Sequence, residues 1–152
     1  MTALFGTNTV NLIASGTDFG GFTTYGYNAN IPAASYSAGV TDTVINIVNN
    51  QTAATADMVM VITDATANTC TLTSASDAEV AKPAANSTTK YKLSDMLAST
   101  KCSDLTGTLY SIQATLPTTP SNVFGQAAVV RTDSSSGISK VLPVYNNGTN
   151  HY

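Results

Sequence analysis

Apolar residues in this chain recur at every second position in short runs, and Gly, Pro, Asn or Ser soon breaks each run. That period sends alternate side chains to opposite faces of an extended strand, whereas a helix needs a period of about 3.6. Residues 69–73 show it cleanly, with Cys70 and Leu72 on one face and Thr69, Thr71 and Thr73 on the other. Residues 108–116 repeat it with Tyr110, Ile112, Ala114 and Leu116, and Pro117 ends the run.

The same reasoning predicts strands over 8–14, 22–27, 41–48, 56–63, 123–132 and 138–145. The 56–63 run is apolar at successive positions from Met58 to Ile62, which predicts burial on both faces. Pro32 and Pro83 mark 31–39 and 77–90 as loops, and 133–137 reads as a hairpin loop. Pro143, late in the last run, implies an edge strand or a bulge. Only 93–98 suits a short helix, with Ser94 as its cap and Asp95 near its positive end. The expected fold is all-β: one antiparallel β-sandwich or barrel-like domain over 1–152, of about eight strands with one short helix. No internal repeat suggests a solenoid.

Charge is scarce, at 10% of residues against about 25% in an ordinary soluble domain. The net charge is −3, and residues 1–81 contain no Lys or Arg. Direct nucleic-acid binding is therefore not expected, because phosphates need clustered cations. No apolar run reaches the length of a membrane-spanning helix, so no membrane insertion is expected.

Catalytic, metal and cofactor sites are equally unexpected. The single histidine, His151, is next to last, so a triad would have to pass through the chain end. Lys90 and Lys92 flank Tyr91 on a predicted loop without an accompanying nucleophile motif. The carboxylates fall mostly at turns or strand ends, where Asp shapes the backbone. Asp18, Asp42, Asp57, Asp64 and Asp77 lack the spacing of a known calcium loop. No phosphate-binding glycine motif occurs. Seven tyrosines with no Trp suit sheet packing as well as a sugar platform. Sequons at Asn50, Asn86 and Asn147 are about as many as this composition gives by chance.

Cys70 and Cys102 are compatible with a disulfide or with two buried thiols. A bridge between them would contribute about 3–4 kcal/mol in the chain-entropy picture.

What the composition favours is a surface that is cheap to bury. Uncharged Thr, Ser and Asn lose less on desolvation than ions do, and interface cores are poor in charge. The leading expectation is a non-enzymatic, self-assembling structural subunit whose partners are copies of itself. A bacteriophage capsid or other virion protein fits best, since residues 1–6 show no export-signal pattern. The alternatives are an extracellular or cell-surface filament or pilus subunit joined by strand donation, and a carbohydrate-binding or adhesion module. A monomer with biased composition is the plain alternative. Segments 1–14 and 141–152 are the candidate inter-subunit arms. Their contact residues are Leu4, Phe5, Val10, Leu12, Ile13, Val141, Leu142, Val144 and Tyr145.

Overall fold

The computed structural model describes residues 27–116 and 123–146. The strand expected at 8–14, and that at 22–27 up to Tyr27, lie outside the described residues. Within them the chain forms two antiparallel sheets packed face to face. In chain order the strands are β1 (Tyr27–Ser35), β2 (Thr41–Asn49), β3 (Val59–Asp64), β4 (Thr69–Thr73), β5 (Ser87–Lys92), β6 (Leu109–Leu116), β7 (Val123–Arg131), β8 (Gly137–Leu142) and β9 (Tyr145–Asn146). One sheet runs β4-β3-β6-β1-β9 and the other β5-β2-β7-β8. Helix α1 (Leu93–Leu97) and two 3-10 turns, Ala78–Val80 and Thr100–Cys102, close one end. This is the expected all-β sandwich with one short helix.

Alternation builds the core. In β6, Tyr110, Ile112, Ala114 and Leu116 are buried while Leu109, Ser111 and Gln113 are exposed. In β2, Thr43, Ile45, Ile47 and Asn49 face inward, and in β7 Val123, Ala127 and Val129 do. Three expectations need correcting. The run around Met58–Ile62 is not buried on both faces: Met58, Met60 and Ile62 are fully buried, but Val59 and Val61 are only half-buried on the outer side. Residues 31–35 are not loop but the second half of β1, where the register with β6 shifts between Ile31 and Ala34. The bulge and the missing N–H of Pro32 are tolerated because β9 pairs only with Ala29 and Asn30, leaving this stretch on an edge. Residues 87–90 are not loop either, because β5 pairs with β2 from Ser87 to Lys92. Only Tyr91 on that strand is buried, so the alternation was too polar to announce it.

The two layers are tied by polar side chains as well as by apolar burial. Thr43, fully buried on β2, donates from Oγ1 to the carbonyl of Ser35 and accepts from the Ser35 N–H, both at 2.9 Å. Tyr27 reaches from β1 across to β7, where its hydroxyl meets the backbone of Gly125. Burial pushes the Tyr27 phenol well above its ordinary range, so it stays neutral. A Cβ at Gly125 would overlap the Tyr27 hydroxyl and press on Ala29 and Val144 at 3.4 Å.

Pro143 acts as the expected breaker. β8 is the edge of the four-stranded sheet, and after Leu142 the chain leaves it to enter β9 at the edge of the other sheet. Gly125→Ala should lower stability by about 1–3 kcal/mol through overpacking, measured by urea unfolding. Tyr27→Phe should recover part of that loss in the double variant; a purely additive penalty would show that the hydroxyl contact is not the cause.

Candidate assembly surface

The apolar surface gathers along β8. Five large apolar side chains are exposed among the described residues, and two of them, Ile138 (70%) and Val141 (72%), stand on this one edge strand. Alternation alone would put residues three apart on opposite faces. Here the register of β8 on β7 shifts by one residue between Val129 and Val130, so Ile138 pairs with Val130 and Val141 with Ala128. Both therefore point to the outer face of the four-stranded sheet. On that face Val44 lies beside Ala128, with Lys92 beyond it on β5. A groove of about 440 Å³ runs between these side chains and ends at Gly125, Leu142 and Val144. A neighbouring hollow of about 450 Å³ continues toward Lys90, Lys92 and Asp42.

The groove ends in a fork. β7 pairs with β2 along its whole length, Val123 to Arg131, but with β8 only from Ala127 onward. On the β8 side, residues 123–126 have no strand partner among the described residues. The space beside them opens as the chain from Leu142 to Val144 swings to the other sheet.

The outer face of the five-stranded sheet differs in kind. Thr71, Val61, Gln113, Asn30 and Tyr145 form one row across all five strands, and Thr73, Val59, Thr115 and Asn28 form another. Thr115 Oγ1 lies 2.7 Å from Asn28 Oδ1, to which it donates. Neither row carries a charge.

The C-terminal arm expected from Val141 onward is therefore not a free arm over 141–146, since these residues are built into both sheets. Val141 is exposed in the groove, Leu142 is 4% exposed and part of the core, Val144 is half-buried at the fork, and Tyr145 projects from the opposite sheet. Leu142 is thereby unavailable as a contact residue. Leu4, Phe5, Val10, Leu12 and Ile13, and the rest of the candidate arms, lie outside the described residues.

Cys70 on β4 and Cys102 in the second 3-10 turn are joined by a disulfide, their Cα atoms 5.0 Å apart. Both are buried, and the bridge pins the edge of the five-stranded sheet to the connection before β6.

The buried carboxylates have structural partners. Asp42 accepts from the N–H of Ser94 at 3.0 Å and from its hydroxyl. Ser94 is thus not the helix cap; Asp42, on another strand, holds the start of α1. Asp64, at the end of β3, accepts from the N–H groups of Thr66, Asn68 and Thr106 at 2.8–3.0 Å and from their side chains. Burial alone would raise its pKa, but these donors, led by the Thr106 N–H, hold it far below the usual carboxylate range. Asp77 meets Lys101 Nζ at 2.7 Å and the Thr73 N–H at 2.8 Å, which lower its pKa, the lysine most. Asp133 is lowered in the same way by Arg131 and by Ser135 in the β7–β8 hairpin. Lys90 and Lys92 are exposed strand residues rather than loop residues. Among the described residues no group of three or more His, Cys, Asp or Glu is placed to share a metal ion, and no helix is long and apolar enough to cross a membrane.

Comparison with protein-family models, with curated proteins and with solved structures finds no match for this chain.

Depressed carboxylate pKa values contribute stability above the unfolded value of about 4 and lose it as pH falls below that point. The urea midpoint should thus hold between pH 7 and 5 and fall steeply below pH 4. Asp64→Asn should flatten that fall while lowering the midpoint at pH 7; an unchanged acid slope would remove Asp64 from the explanation. Reducing the disulfide should cost about 3–4 kcal/mol, read from the same curves with and without reductant.

Proposed function

We propose that this chain is a non-enzymatic structural subunit that assembles with copies of itself. The observation that carries this reading is the edge strand β8. Sheet edges in monomeric proteins are blunted by charge, proline or cover. β8 instead presents Ile138 and Val141 outward beside an apolar groove, with Lys140 its one charge. Burying such a surface against a copy gains apolar area and desolvates few ions. The uncharged rows on the opposite sheet offer a second face with the same low desolvation cost. No strong field opposes close approach of copies whose formal charge is only −3.

A virion is the setting we favour, with a bacteriophage capsid or related shell protein as the specific form. The disulfide suits a particle that works outside a reducing cytosol. The second reading, a subunit of an extracellular filament, draws on the free edge of β7, which is the kind of site that accepts a donated strand.

Light scattering and negative-stain microscopy of the purified chain test the proposal. Assembly is expected to grow with concentration, closed shells favouring the virion and open fibres the filament. The double variant Ile138→Lys, Val141→Lys should remain monomeric with an unaltered circular-dichroism spectrum, since both side chains point to solvent. A wild-type chain that stays monomeric across concentration and salt overturns the reading.

A further inference from the structure

The fork beside β7 is a place for one more strand, and we propose that residues 8–14 of a neighbouring copy fill it. The inference rests on the self-assembly reading and names the contact. Three observations lead to it.

The first is the edge itself. Residues 123–126 are held by β2 on one side. On the other, the strand that covers the rest of β7 has departed. An added strand would extend the four-stranded sheet by main-chain hydrogen bonds, and its alternate side chains would reach the groove.

The second is chemical fit. The groove at the fork is lined by Gly125, Ala127, Leu142 and Val144, with no ion among its lining residues. Residues 8–14 are free of charge, and their alternation places Val10, Leu12 and Ala14 on one strand face. Apolar side chains on every second residue are what a half-buried edge site recognises.

The third is where the chain leaves the described structure. Tyr27, the first described residue, lies with its hydroxyl against Gly125, in the fork itself. The chain preceding Tyr27 therefore starts from this site. Residues 15–26 can span about 40 Å when extended, which exceeds the roughly 27–30 Å width of a domain of this size. A segment of that reach can lie in the equivalent fork of the next copy and link subunits head to tail.

Cross-linking with the full chain tests the contact. A Leu12→Cys chain mixed with a Gln126→Cys chain should give a disulfide-linked heterodimer on a non-reducing gel. The amides of residues 123–126 should be protected from hydrogen exchange in the assembled wild-type protein, and at least tenfold less so in a chain lacking residues 1–14. That truncated chain should keep the wild-type spectrum and lose assembly. Cross-linking only within a single chain carrying both cysteines would overturn the proposal in favour of self-completion. Assembly and exchange protection that survive the truncation would overturn it as well, while leaving self-association by β8 intact. A full-length chain that never assembles would remove the underlying reading.

Discussion

Buried side chains that bond loop backbone are what the rest of this sandwich depends on. The long connections from β2 to β3, β4 to β5 and α1 to β6 carry backbone polar groups that no ladder satisfies, and unmet groups of that kind are costly. Asn49 answers at one end, donating from Nδ2 to the carbonyls of Ala53 and Ala84 and accepting from the Gln51 N–H. Asp64 and Asp77 answer at the other, and Asp42 fixes α1. In a chain with so few charges, the carboxylates are used where one group satisfies several donors at once. Among the described residues no buried side-chain polar atom is left without a partner.

This use of charge accounts for what the surface has left. Three of the nine acidic residues, Asp42, Asp64 and Asp77, are buried in these roles, and Asp133 is held by Arg131 in its hairpin. The sheet faces are consequently built from Thr, Asn, Gln, Val and Ile. The two outer faces then diverge through register alone. One carries uncharged rows across five strands; the other gathers Val44, Ala128, Val130, Ile138 and Val141 beside the Lys90 and Lys92 rim.

The fold was legible wherever alternation met a buried face. The runs that became β4, β6 and β7 read clearly because each second residue is apolar and the facing layer covers it. β5 did not, since Ser87, Thr88, Thr89 and Lys90 give no apolar signal and only Tyr91 anchors it. The second half of β1 was hidden by Pro32, whose place on a free edge is a property of the sheet and not of the local sequence. The cap on α1 was out of reach for the same reason, because Asp42 and Ser94 stand 52 residues apart. Val141 and Tyr145 were recognisable as apolar residues near the C-terminus. That they project from different sheets follows from the departure at Pro143, which no local pattern encodes. The one-residue register shift that turns Ile138 and Val141 to the same side was equally invisible.

The Cys70–Cys102 bridge also has a mechanical meaning. A subunit in a shell or fibre is loaded through its contacts, and tension applied at the two chain ends passes through the polypeptide. The bridge closes off a stretch with a sequence separation of 32, which would otherwise lengthen by about 100 Å when pulled straight. Under load that stretch pays out no chain, so the edge strand β4, both 3-10 turns, β5 and α1 lie within a locked loop. The protein yields first, if at all, at β1, β6, β7, β8 and β9, the strands outside it.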